Sequence, residues 1–441
     1  MAPRIDPVPP SPTMPAQADV VVIGGGIIGA STALFLARKG ISVALCEKGE
    51  IGAEQSSRNW GWCRVQGRDP REIPLAIESL RIWRDPEQGI GPAGGFRPSG
   101  ILYLAETRSE LESYAAWLEQ ARAWPLDSRL LSPADVQQVV PGLTAKVVGG
   151  LITPSDGRAE PGQAAPAIAR AVLERGGTVL TNCAVRTVET TAGRVSGVVT
   201  ERGPIACSTV VLAGGAWSRL FCGNLGIELP QLKVLCSVLR THPVEGGPEV
   251  SSVINDWAFR RNDEGGCIVA RGTLSVAELT PDSFRLFRSY LPALRRQWRE
   301  LRLHFGRQFV RELLTPRHWK AEAVTVFERQ RTLDPAPSHG VLEYALKTLR
   351  RAHPAFAAIR EAERWAGQID VTPDAIPVMS GVDSLPGLFL ATGFSGHGFG
   401  FGPGAGRLMA DLVTGATPVV DPSAFRLSRF ADGSPIVIGG L

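Results

Sequence analysis

ADVVVIGGGIIGASTALFLARKG, residues Ala18–Gly40, is the stretch from which the architecture can be read. Val20 to Ile23 is a short, β-branched, wholly apolar run, the pattern of a strand buried on both faces of a parallel sheet. Gly24, Gly26 and Gly29 follow in G-x-G-x-x-G spacing. From Ile27 to Arg38, Ala30, Ala33, Leu34 and Ala37 recur at helical intervals. The first glycine permits a tight turn, the second lets a pyrophosphate reach the backbone, and the third lets the helix press on the strand. The helix N-terminus then offers free N–H groups to phosphates. A second strand, Ile41 to Cys46, ends on Glu47, eighteen residues past Gly29, where a carboxylate can hold a ribose 2′-OH. Together these features specify a dinucleotide-binding β-α-β unit.

At 441 residues the chain exceeds what one core usually serves, so two domains are expected. An apolar content of 44% and charged content of 20% allow a large core. The net charge of +4 is too small to suggest nucleic acid. Seven scattered cysteines, with no C-x-x-C pair and no histidines at ligand spacing, read as reduced thiols in a cytoplasm and give no metal site. The proline-rich leader MAPRIDPVPPSPTMPAQ lacks an apolar h-region and reads as a flexible tail. No run approaches a membrane span.

After Glu47 the loop KGEIGAEQSSRNWGWCRVQGRD mixes small polar residues, two tryptophans and three arginines, a composition that builds sites. A helix is expected from Ile73 to Trp83, a strand in GFRPSGILYLAE, helices over Leu111–Ala123 and Ser132–Val140, and an alanine-rich helix from Pro161 to Arg175. Gly177–Leu180 reads as a strand, CAVRTVETTAGRVSGVVTERG as a hairpin through Ala192-Gly193, and Ser208–Leu212 as a buried strand running into AGGAWS. LKVLCSVLRTHP, WAFRRNDEGGCIVARG and AEAVTVFERQRTLD read as strands of a second domain. Gly402 to Gly406 are expected to precede a helix. Phe284 to His318 holds nine arginines and two glutamates, a balance of +7, with Phe284, Phe287, Leu291, Leu294, Trp298, Leu301 and Phe305 at helical intervals. It reads either as a surface helix packing its stripe, or as a basic amphipathic patch for an anionic membrane or a redox partner.

The motifs VVVIGGGIIG, Glu47, Leu75–Trp83, DGRAEP at Asp156–Pro161, VVLAGGAWS, TPDAIP at Thr372–Pro377 and GFSGHGFGFGPGAG occur in an order that resembles the flavin-dependent oxidoreductases of the D-amino-acid oxidase superfamily, the branch of glycine oxidase, monomeric sarcosine oxidase and D-amino-acid dehydrogenases. The resemblance spans Ala18 to about Asp421. It implies an α/β, doubly wound, Rossmann-like FAD domain assembled from 18–90, 149–230 and 363–421, with a mostly antiparallel substrate domain from 91–148 and 231–362. It implies FAD contacts at Gly24, Gly26, Ile27, Ile28, Gly29, Glu47, Lys48, Ser56, Ser57, Arg58, Val185, Ala213, Gly214, Trp217, Gly367, Gly396, His397, Gly398 and Phe399. Gly367 stands where the family's tethering cysteine is expected, so the FAD is expected to be non-covalent. The implied chemistry is hydride transfer from the carbon bearing nitrogen to flavin N5, giving an imine that hydrolyses.

Arg64 falls near the family's carboxylate-binding arginine, whereas Gly400 replaces its second clamp, a lysine. Glu278 lies where an oxygen-activating lysine would be sought, which leaves oxygen, a quinone or another carrier as acceptor. Arg260, Asp370 and His397 are further candidates for substrate contact or proton handling beside Arg64. Trp60 and Trp62 could wall the pocket. The expected partner is a small amino acid or secondary amine. A flavin-dependent 2-hydroxy-acid dehydrogenase and a flavin subunit of a heteromeric electron-transfer complex are the alternatives, and peripheral contact with the inner face of a membrane is an expectation from the basic segment.

Overall fold

The computed structural model describes residues 2–272, 275–297 and 301–441. The strand Val20–Ile23 is buried throughout, as its apolar run requires, and sits inside a six-stranded sheet. Thr209–Leu212 and Val43–Cys46 flank it in parallel, with Ile23 opposite both Leu212 and Cys46. Thr178–Leu180 continues one edge and Leu388–Thr392 the other, all parallel, and Val378–Gly381 closes that edge antiparallel. Five parallel strands with helices on their faces make the doubly wound domain.

The helix Gly398–Thr414 shows why this motif is so rich in glycine. A Cβ on Gly402 would lie 2.7 Å from Ile27, and one on Gly406 2.4 Å from Ser31, both on the helix Ile27–Arg38. On the other side, a Cβ on Gly404 would lie 2.9 Å from Ser79 of the helix Ile73–Arg84. Glycines four apart on one face, and offset by two on another, let a helix touch two neighbours at backbone distance. These glycines were expected to precede the helix. They lie inside it, and their service is close packing.

The second domain is a ten-stranded, mostly antiparallel sheet whose centre is the pairing of Leu232–Thr241 with Glu361–Val371. Ile101–Ala105 pairs antiparallel with Gly149–Thr153 and parallel with Ser251–Ile254. The chain therefore changes domain later than expected at two points. Gly149–Thr153 and Glu361–Val371 both belong to the large sheet, because each finds its backbone partner there.

Three local expectations change. AEAVTVFERQRTLD carries no strand: Thr325 and Glu328 form a capping box that starts a short helix, Val326–Arg329, with Phe327 packed on Trp217, Phe221 and Trp319. The basic segment is two helices, Phe287–Gln297 and Arg307–Leu314, around a strand, Leu301–His304; Trp298 lies outside the described residues. Its stripe is only partly packed: Phe284, Phe287 and Phe305 are 63%, 52% and 65% exposed, whereas Leu291, Leu294 and Leu301 are half-buried. The leader lies along the surface in place of hanging free, with Ser11 N donating to Val179 O, Asp6 N to Gly162 O, and Val8 buried.

Gly406→Ala should lose stability by about 1–3 kcal/mol, because forcing two backbones apart outweighs the roughly 1 kcal/mol of helix propensity that alanine adds. Gly340→Ala, in the exposed first turn of the helix His339–Ala352 with nothing within 4 Å of the added Cβ, should be neutral or stabilising. Denaturant unfolding of the two variants beside the parent checks the contrast.

Candidate functional site

A cleft opens where the sheet order turns around Val20–Ile23, the usual ligand position of doubly wound folds. Of the residues expected to hold FAD, Gly24, Gly26, Ile27, Ile28, Glu47, Lys48, Ser56, Val185, Ala213, Gly214, Trp217, Gly396, Gly398 and Phe399 line it. Gly29 stands behind them: a Cβ there would sit 1.9 Å from the Gly24 carbonyl, so this position keeps the helix against the strand. Glu47 accepts from Gly25 N and Gly49 N, both at 2.7 Å, and burial pushes its carboxyl up despite those bonds. Ser56 Oγ accepts from Ile27 N at 2.9 Å at the helix start. Lys48 Nζ donates to Glu54 and to the carbonyls of Gln330 and Arg331, and lies 4.7 Å from the Trp217 ring, fastening the rim.

Ser57 and Arg58 are buried beside this cleft and do not line it. Arg58 Nη1 donates to Asp334 Oδ1 at 2.6 Å and Ala366 O at 2.8 Å. At Gly367 a Cβ would fall 2.1 Å from Gln55 Oε1, an oxygen buried with no donor among the described residues. The long groove, the bare backbone at Gly24 and Gly26, the acid at its far end and the orphaned Gln55 oxygen at its inner end fit a dinucleotide flavin.

A second cavity, about 1480 Å³, shares Gln55, Asn59, Ile369, Gly396 and Phe399 with the first. Trp60, Trp62, Tyr103 and Tyr114 wall it; the Trp60 and Trp62 rings meet edge to face at 5.2 Å. Arg64, Arg68, Arg271 and His397 also reach it. Arg64 donates to Gln66 O and lies 5.6 Å from the Tyr103 ring. His397 Nδ1 stands 3.2 Å from the wholly buried Glu72, which calls for the Nδ1–H tautomer. Burial first, then Arg68, pushes the imidazole down to about 4, so it is neutral at pH 7.

Arg260 and Asp370 have other work. Arg260 lies 2.8 and 3.0 Å from the two oxygens of Glu160 and donates to Trp60 O, a buried strut behind the aromatic wall. Asp370 lines the flavin cleft, but its carboxylate accepts from Gly393 N at 2.7 Å and Gln231 Nε2 at 3.1 Å, holding the turn after Leu388–Thr392. Glu278 Oε2 accepts from Gln368 Nε2 at 3.1 Å, and Gln368 lines the cleft. Sequence reasoning missed Gln55, Arg68, Glu72, Tyr103, Tyr114 and Arg271. Gln55 and Arg68 lay in the loop already marked by its composition; the tyrosines and Arg271 come from distant strands and a helix and carried no local signal.

The profile of the FAD dependent oxidoreductase family matches residues 19–412, and the chain belongs to that family. It is an FAD-dependent amino-acid or amine oxidoreductase of the D-amino-acid oxidase superfamily. The structure of L-amino acid deaminase from Proteus myxofaciens, solved with anthranilate, superposes with a TM-score of 0.92 at 32% identity over 97% of this chain and 96% of that one. Sarcosine oxidase subunit beta of Rhodobacter capsulatus is 25% identical over 96% of this chain and 91% of its own length. Mitochondrial sarcosine dehydrogenase of Mus musculus is 27% identical over 96% of this chain, which spans only 42% of that longer protein.

Burial raises Asp370 to about 6, against about 3.9 for a free aspartate. Between those values it is protonated when folded and ionised when unfolded, so its contribution to stability is lost as pH rises from about 4 to about 6, by up to about 3 kcal/mol. The difference in unfolding free energy between the parent and Asp370→Asn, in which the other buried acids cancel, should fall over that window and be flat above it.

Proposed function

We propose that the chain oxidises the C–N bond of an α-amino acid, with the substrate in the aromatic-walled cavity and its carboxylate on Arg64. The observation that carries this reading is the shared wall of Gln55, Asn59, Ile369, Gly396 and Phe399, which puts a cationic, aromatic-lined cavity against the flavin cleft. The flavin supplies a two-electron acceptor for the hydride leaving the α-carbon. Arg64 anchors the carboxylate, Trp60 and Trp62 exclude water from the α-carbon, and neutral His397 accepts a hydrogen bond from the substrate nitrogen. The Gln55 carbonyl occupies the space a tether from position 367 would need, which supports non-covalent FAD.

Anaerobic mixing with a panel of amino acids should bleach the flavin with at least one of them. Arg64→Ala should weaken that substrate by about one to two decades, the worth of a charge-assisted contact of about 1.5–3 kcal/mol, while FAD content is retained. Equal apparent affinity in variant and parent would move the clamp elsewhere. The relative named as a subunit favours a second reading, a flavin chain that works within a complex. Full reduction of the isolated chain by an amino acid, followed by turnover with a dye, would count against it.

For the acceptor, the reading is a quinone reached at an anionic membrane. Glu278 stands one hydrogen bond behind the cleft wall, where a carboxylate repels rather than stabilises superoxide. Phe284, Phe305 and Leu314 are exposed beside Arg285, Arg288, Arg307 and Arg311, and a basic residue at an anionic surface contributes about 1 kcal/mol. Among the described residues no helix is long and apolar enough to cross a membrane. The reduced enzyme should be reoxidised faster by a soluble quinone than by oxygen, and should sediment with phosphatidylglycerol vesicles but not with phosphatidylcholine ones. Oxygen outrunning the quinone, or equal sedimentation with both, overturns this assignment.

A further inference from the structure

Arg68 is a buried guanidinium with no ion pair within 4.0 Å among the described residues. It is 3% exposed, lines the aromatic-walled cavity and stacks 4.8 Å from the Phe401 ring, yet its Nε and Nη1 find no acceptor among the described residues. The nearest carboxylates, Asp156 and Glu72, act on it only through space and have other contacts of their own. Asp156 accepts from Val65 N at 2.8 Å and Gln66 N at 3.1 Å, and burial pushes it up to about 7, so at neutral pH it is only partly charged. Glu72 is turned to His397 Nδ1. No ion pair within 4.0 Å is made by Arg68 or by Arg64 among the described residues, and the two cations repel: after burial, Arg64 is the strongest influence holding Arg68 down to about 9. The Trp62 Nε1–H of the same cavity is another buried donor without an acceptor among the described residues.

A cavity lined by unpaired donors and by two guanidiniums without a close ion pair suits negative charge, since a buried cation without a contact partner is costly and a bidentate carboxylate satisfies it. One carboxylate on Arg64 leaves Arg68 without a counter-ion. We propose that the cavity selects substrates bearing two carboxylates a few carbons apart, the α-carboxylate on Arg64 and the second on Arg68, so that Arg68 determines specificity. This rests on the reading that the cavity is the substrate site. The class is a short acidic amino acid or a secondary amine carrying two carboxylates, with Trp62 and Tyr103 lining the cavity for its methylenes.

The FAD-loaded full chain is titrated with glutarate and with butyrate, neither of which has a C–N bond to oxidise, and binding is followed by calorimetry and by the flavin absorbance. Glutarate should bind about ten- to hundredfold more tightly, the worth of one charge-assisted pair. Arg68→Met should erase that ratio, and Arg68→Gln, which keeps donors without charge, should erase most of it and serves if Arg68→Met does not fold. Equal affinities in the parent overturn the proposal. So does a variant that weakens both ligands by the same factor, since Arg64 and Arg68 would then share one carboxylate. A chain that prefers glutarate yet is reduced by no amino acid supports the anion subsite and removes the reaction assigned above.

Discussion

Backbone meets backbone where the helix Gly398–Thr414 passes between the helices Ile27–Arg38 and Ile73–Arg84, and the Gly396–Phe399 wall of the flavin cleft follows from that contact. With side chains at Gly402 and Gly406 the last helix could not approach Ser31 and Ile27, and its N-terminal loop, Ser395–His397, would stand away from the cleft. The same closeness at Gly24 and Gly29 seats the first helix on its strand. Interiors packed at this density have discrete arrangements, so a shift at one crossing is felt at the others. The loop that carries His397 is thereby held against the cavity, although Ser395 sits at φ +51 and Gly396 at φ +86.

On this frame the buried charges divide into two kinds. Arg260 with Glu160, Arg58 with Asp334, and Arg429 with Asp374 are paired within hydrogen-bond distance and join chain segments far apart in sequence. Their loss would leave a buried charge unpaired, which is why arginine is retained there. The buried Arg68 and the half-buried Arg64 make no such ion pair among the described residues and border a cavity. Burial alone does not distinguish these arginines; the presence or absence of a carboxylate within hydrogen-bond reach does.

The segment between Pro281 and Leu314 obeys a third logic. Tyr290 is its anchor, with its hydroxyl donating to Val371 O at 2.5 Å and accepting from Leu232 N at 3.0 Å, so the module is fixed to the two central strands of the large sheet. Beyond that anchor Phe284, Phe287, Phe305, Leu313 and Leu314 are exposed among arginines, while Leu286 is buried. An exposed apolar patch of this kind is the feature on which the proposed acceptor contact rests. Its attachment to Leu232–Thr241 and Glu361–Val371, the strands that run past the flavin cleft, ties whatever it touches to the site.

The sequence by itself determined the dinucleotide-binding unit, the acid at Glu47, most strands of both sheets and the order of the family motifs, because each is written in residues adjacent along the chain. Turn glycines, apolar runs and capping pairs act over a few residues, and Ser132 with Asp135 caps its helix as the local pattern required. It also marked the loop containing Arg64 and Arg68, though not which arginine would be paired. That Arg260 is spent on Glu160, that Asp370 closes on Gly393, that Glu72 reaches His397 across 325 residues, and that Tyr103 and Arg271 complete the cavity were decided only by tertiary structure. A buried charge takes whichever opposite charge the packing brings within hydrogen-bond reach, and packing joins strands whose separation along the chain carries no record of the contact.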